Sequence, residues 1–171
     1  EYIHGGVSRN VVEDIANIEL RPTFVGIVDD SALGEDVVKK LKNHKVNTDY
    51  VMTMPGGMGT WLAVFDHNGD LAGSISQRPN LMPILGLLEK KGDEIFANAD
   101  SVIVEVDMDK DIIKKVVALA KQYNKKLYGV VSNMSIAVER RDFLKHFDCF
   151  ICNQLEAGML FMEDYADKSP E

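Results

Sequence analysis

The sequence predicts an α/β protein, a mostly parallel sheet with helices on both faces. Three observations point there. Several strand-length runs, Thr23 to Val28, Ser101 to Val106 and Leu127 to Val131, are apolar without alternation, as strands covered on both faces must be. Between them lie segments with helical spacing, and the two kinds of segment alternate along the chain. The residues that follow the strands are polar.

The elements follow in order. Tyr2–Ile3 reads as a strand stub, and Gly5-Gly6 as the turn after it. Asn10 to Leu20 places Val11, Ile15 and Ile18 on one helical face. Thr23 to Val28 is a strand, and Gly34 to Lys42 is a helix with Val37, Val38 and Leu41 inward. Asp109 to Tyr123 is the strongest helix, with Ile112, Ile113, Val116, Val117, Leu119 and Ala120 on the 3.6-residue period and Asp109 placed to cap it. A strand at Leu127 to Val131, a helix near Ile136 to Phe143, a strand at Phe147 to Cys152 and a helix from Glu156 to Met162 complete the chain.

One segment breaks the rhythm. Trp61 to Phe65 and Leu71 to Ser76 read as antiparallel strands, with Asp66 to Asp70 between them and Asn68-Gly69 supplying positive φ angles. A flap projecting from the main sheet and a functionless edge hairpin both fit this pattern.

The chain has 171 residues, enough for one domain, with 46% hydrophobic and 27% charged residues. Its formal net charge is −8, and no basic block interrupts that acidity, so nucleic acid is not an expected partner. No apolar run reaches the length of a membrane span, and no signal peptide is visible. The missing initial Met suggests a processed or cut chain. Cys149 and Cys152 form a C-x-x-C inside a short apolar strand, where residues three apart face opposite ways. Buried structural thiols in a reducing cytoplasm are therefore expected, rather than a redox or zinc pair. His4, His44, His67 and His146 are scattered, with surface or turn positions as the default.

In an open parallel sheet, ligands bind beyond the carboxyl ends of the strands. Those ends carry Gly5 and Gly6, then Asp107 and Asp109, then Ser132, Asn133 and Ser135, then Asn153 and Glu156. Carboxylates, amides and hydroxyls suit a polyhydroxylated ligand and a hydrated Mg²⁺. Polar residues also stand at strand ends simply because loops begin there. Gly5-Gly6 lets a backbone approach a ligand or makes a plain tight turn. Asn153-Gln154-Leu155-Glu156 puts amide and carboxylate on one helical face, for Mg²⁺ and phosphate or as a capping box. Met52, Met54 and Met58 beside Pro55-Gly56-Gly57 suit either a mobile contact or ordinary packing.

Taken together, these stretches resemble the ribokinase-like, or PfkB, carbohydrate kinase family. Gly5-Gly6-Val7-Ser8-Arg9-Asn10 is similar to its first signature. Val28-Asp29-Asp30-Ser31-Ala32-Leu33-Gly34 is similar to V-G-D-D-x-x-G, with Asp at the usual Gly. Thr60 to Asp70 resembles the lid hairpin, and Asn153-Gln154-Leu155-Glu156-Ala157 resembles N-x-x-E-A. The G-G-V-x-R-N wording and the Asp107 strand end look most like the pseudouridine-kinase-type branch.

The resemblance implies an ATP-dependent kinase that phosphorylates a hydroxymethyl group of a sugar or nucleoside. It implies that residues 1–171 are the amino-terminal part of a ribokinase-like α/β domain, with a lid segment at about 48–78. By position, Gly5, Gly6, Asn10 and Asp107 would bind substrate. Asn153 and Glu156 would order the cofactors, Mg²⁺ and the phosphates of ATP, with Glu156 the metal residue. The lid would cover the sugar and support a homodimer. The family's catalytic Asp lies in a G-A-G-D motif that these 171 residues do not contain, and it is expected beyond Glu171, so the chain alone is expected to be inactive. A non-catalytic α/β ligand-binding or regulatory domain is the alternative. A flavodoxin-like or receiver domain would need a first-strand acidic cluster with a downstream Lys, or a flavin-phosphate loop, and neither is visible.

Overall fold

The computed structural model describes residues 3–69, 71–165 and 168. Two compact units are resolved along the chain. One is Val12–Ile84, and the other joins Glu1–Val11 to Leu85–Glu171. Two helices, α1 (Val7–Asn17) and α3 (Pro83–Ala97), run across the boundaries in sequence.

In the unit Val12–Ile84, β1 (Thr23–Val28) pairs in parallel with β2 (Asn47–Thr53), bringing Ile27 opposite Met52. Helix α2 (Ala32–Asn43) joins them. The core is Val12, Val28, Val37, Leu41 and Val46, with Phe24, Val38, Val51 and Met58 packed against it. Val37 and Leu41 are four residues apart, so one face of α2 carries both. Ser31 caps the helix, its hydroxyl accepting from the Leu33 and Gly34 N–H groups at 3.2 and 3.4 Å. Gly34 is required by close approach, because a Cβ there would stand 2.1 Å from the Asp29 carbonyl oxygen. The Asp-Asp-Ser-Ala-Leu-Gly stretch is thus a strand-to-helix turn, with Asp29 Oδ1 accepting from the Ser31 hydroxyl at 2.5 Å.

The same unit carries the antiparallel hairpin β3 (Thr60–Phe65) and β4 (Leu71–Gln77). Phe65 pairs with Leu71, so the strands are joined by the five residues expected, of which Asp70 lies outside the described residues. Among the described turn residues only Gly69 has a positive φ, at 87°, and its N–H closes on the Asp66 carbonyl. The longer loop needs only one such residue, so Asn68 stays in an ordinary conformation.

In the other unit, β5 (Ser101–Glu105), β6 (Lys126–Val130) and β7 (Cys149–Ile151) form a parallel sheet in that order. Helix α4 (Lys110–Gln122) buries all six residues that its period marks. Asp109 occupies its N-cap position, but its side chain makes no capping bond. The strand expected over six residues from Phe147 is only three long, and the helix expected near Ile136–Phe143 is α5 (Met134–Val138) followed by a 3-10 segment, Arg141–His146. Helix α6 (Gln154–Phe161) ends the fold.

The amino-terminal stub is also corrected. Ile3 is in no strand, and Tyr2 lies outside the described residues. Helix α1 begins at Val7 instead of Asn10, directly after the glycine pair.

Candidate functional site at the strand ends

The polar strand-end residues of the sheet β5-β6-β7 lie in one unit with the glycine turn. The turn has unusual support. A Cβ at Gly5 would meet nothing within 4 Å, so no close neighbour demands a glycine there. Gly6 has φ of 97°, a conformation that glycine adopts without steric cost. Arg9 wraps back on the turn, donating from Nε to the Gly5 carbonyl at 2.8 Å and from Nη2 to the His4 carbonyl at 2.7 Å. The Arg9 guanidinium also donates to Asn10 Oδ1, and the Asn10 N–H donates to the Gly6 carbonyl at 3.0 Å. Asn10 is exposed.

Glu105 ends β5, and its Oε1 accepts from the Ser8 N–H at 2.8 Å and from the Ser8 hydroxyl at 2.7 Å. Its Oε2 faces the Ser132 hydroxyl at 3.2 Å. The same hydroxyl donates to Asp107 Oδ2 at 2.8 Å, and the Ser132 N–H donates to Asp107 Oδ1 at 3.2 Å. The glycine turn, β5 and the end of β6 are thus one hydrogen-bonded network. Asp107 is only 2% exposed, beneath exposed Ser132, so Ser132 and half-buried Glu105 are the more accessible groups. Neither Glu105 nor Ser8 was marked by sequence patterning. A Glu on the last residue of an apolar strand was the available signal, because a charge there must find a partner.

Asn133 accepts from the Ile136 N–H at 3.3 Å and caps α5. One strand further, Asn153 caps α6 as half of a capping box: Asn153 Oδ1 accepts from the Glu156 N–H at 2.8 Å, and Glu156 Oε2 accepts from the Asn153 N–H at 2.8 Å. Neighbouring strands lie about 4.8 Å apart, which sets this pair roughly 10 Å along the sheet edge from the β5 end. Glu156 is one carboxylate, and among the described residues no group of three or more His, Cys, Asp or Glu gathers to hold a metal. Mg²⁺ as a rule keeps several waters and takes one or two carboxylates beside phosphate oxygens, so it asks for no larger cluster.

The cysteines depart from expectation. Both are free, but Cys149 is exposed and only Cys152 is partly buried. Burial, with the Glu156 carboxylate second, pushes the Cys152 thiol above its ordinary pKa, so Cys152 is not an activated thiolate. Among the described residues no helix is long and apolar enough to cross a membrane.

Comparison with known proteins agrees with this architecture. The family model described as pfkB family carbohydrate kinase matches residues 1–169, and the chain belongs to that family. A guanosine-inosine kinase from Exiguobacterium acetylicum is 30% identical over 160 residues, 93% of this chain and 53% of that protein. The chain therefore spans about half the length of this curated relative. Among solved structures, ribokinase of Arabidopsis thaliana, complexed with ribose and ATP, superimposes with a TM-score of 0.75 at 19% identity, over 96% of this chain and 53% of that one. Fructokinase of Xylella fastidiosa gives 0.73 at 18%, over 94% and 54%. At these identities the structures establish a ribokinase-like α/β fold.

Proposed function

We propose that the chain is the substrate-binding portion of an ATP-dependent, Mg²⁺-requiring cytoplasmic kinase that phosphorylates a hydroxymethyl group of a sugar or nucleoside. Similarity to a guanosine-inosine kinase makes a purine nucleoside the first candidate. The observation that carries this proposal is the network joining the glycine turn to Glu105, Ser132 and Asp107 at adjacent strand ends. Such a rim offers backbone N–H donors, hydroxyl and carboxylate within one small area, matching a ligand that is itself both donor and acceptor. In this proposal Gly5, Gly6 and Asn10 contact substrate hydroxyls, and Asp107 lies behind them through Ser132. Asn153 and Glu156 order Mg²⁺ and the phosphates at the next strand end. Transfer of this kind depends on positioning and neutralised charge.

The hairpin is the lid segment of the proposal. Trp61, Leu62, Val64, Phe65 and Ile75 are all more than half exposed on it, and a homodimer contact would cover them. Sedimentation tests this: a monomer at 100 micromolar, or a dimer unaffected by Trp61→Ser, would contradict it.

Thermal denaturation of the chain with guanosine, inosine, pseudouridine, ribose and fructose tests the substrate class. A ligand at 100 times its Kd stabilises by about 2.7 kcal/mol, which at this size raises Tm by roughly 5–10 °C. No rise with any of the five at millimolar concentration would contradict the proposal. We expect no ATP-dependent phosphorylation by these 171 residues alone, and turnover above background would refute that.

The capping box favours a second reading, a non-catalytic ligand-binding or regulatory domain, because helix termination already accounts for Asn153 and Glu156. A ligand-induced Tm rise with no response to added Mg²⁺ and ATP would favour it.

A further inference from the structure

We propose that Glu105 is a positioning residue for the ligand-binding rim: its carboxylate, through Ser8, sets where the Gly5-Gly6 turn sits. This rests on the reading that the turn binds substrate.

The two glycines bring no side chain that could pack and hold the turn. Gly5 has empty space where a Cβ would be, and the nearest atom to a Cβ on Gly6 is Arg9 Cβ at 3.7 Å. Its position depends on polar ties. Upstream, Arg9 holds the His4 and Gly5 carbonyls. Downstream, the tie comes from 97 residues away. Ser8 is the second residue of α1, and its N–H is one of the four that the helix leaves without an internal acceptor. Glu105 Oε1 accepts it at 2.8 Å and takes the Ser8 hydroxyl at 2.7 Å. A carboxylate at a helix amino terminus is favoured by the aligned peptide dipoles, and charge-assisted hydrogen bonds are the strong ones. The other oxygen meets Ser132 at the end of β6. One carboxylate thereby ties the first turn of α1 to two strand ends, and the glycine turn, fixed to α1 by the Asn10-to-Gly6 bond, moves with it.

The arrangement also bears on the ligand. The amino end of α1 already carries a negative group, so the turn beside it suits a neutral hydroxyl better than a phosphate.

The test is amide NMR of the chain as wild type, Glu105→Gln and Ser8→Ala. Glutamine keeps the size but removes the charge, and alanine removes one of the two Ser8 donors. We expect the Ser8 amide to lose its downfield, carboxylate-bonded position in Glu105→Gln. The Gly5 and Gly6 amide signals should shift in both variants, and the Ser8 amide should exchange about tenfold faster in Glu105→Gln, while the signals of α4 stay in place as the measure of an intact fold. Unmoved Gly5 and Gly6 signals in either folded variant would overturn the proposal, and Ser8→Ala decides it should Glu105→Gln fail to fold. Guanosine, inosine and ribose are then titrated as probes. Binding by wild type weakened about tenfold in Glu105→Gln supports the proposal, and equal binding by both overturns it. If no probe moves wild-type signals but Glu105→Gln still displaces the turn, the tie to Glu105 stands and the substrate reading falls.

Discussion

Asp148 shows how much one side chain can fix. It stands immediately before β7, where its Oδ2 accepts from the Leu127 N–H at 2.9 Å and its own N–H donates to the Leu127 carbonyl at 2.8 Å. Lys126 donates to Oδ1 at 2.9 Å. The Leu127 N–H, first, and the Lys126 ammonium hold the Asp148 carboxyl below its ordinary pKa of 3.8. The Lys126 ammonium is raised in turn by the same partner, so the two shifts agree in direction. A carboxyl with a depressed folded pKa contributes stability that is present above its unfolded value and lost as pH falls through the folded one. We expect Asp148→Asn to lower the thermal midpoint at pH 6, and the gap from wild type to close below about pH 3.8. A gap that does not narrow at all as pH falls below the ordinary value would show that the charge is not the cause. The effect is modest because the pair is open to solvent. At this scale the sequence was partly legible. Gly5, Gly6, Asp107 and Asn153 stood out because they follow apolar runs. Glu105 did not, because it belongs to the strand itself and its partner Ser8 is 97 positions away.

Among the elements, α6 separates structural from chemical use of one motif. Asn153 and Glu156 cap each other, so replacing Asn153 by Ala should cost about 1 kcal/mol, whereas Ser, which also caps, should cost a few tenths. Urea denaturation of the two variants measures this, and equal losses would contradict the capping account. With the cap preserved, Asn153→Ser then becomes the clean probe of any role toward Mg²⁺. Legibility followed pattern strength. The period of α4 was unbroken, and every residue it marked is buried. Helix α3 was not marked because its inward stripe, Ile84, Leu88, Gly92 and Phe96, hides one member as a glycine. A Cβ on Gly92 would lie 2.6 Å from Leu119 Cδ1, so the smallest residue is there for closeness of packing. Strand β2 was missed because Asn47 to Thr53 is mostly polar and only partly buried, lacking the apolar run of β1.

For the whole molecule, parallel pairing in both units, the hairpin and the family match converge on a ribokinase-like fold. The fold class was legible because unalternating apolar strands between helices leave few alternatives. The division into two compact units was not, since no linker-like composition marks residues 11–12 or 84–85. In the proposed function one edge of the sheet β5-β6-β7 receives a small polyhydroxylated ligand. Hydrogen–deuterium exchange with and without saturating guanosine tests it most directly. We expect slowed exchange in residues 5–10, 105–108 and 131–134, with 112–122 unchanged. Slowing confined to other segments, or none at millimolar nucleoside, would contradict it.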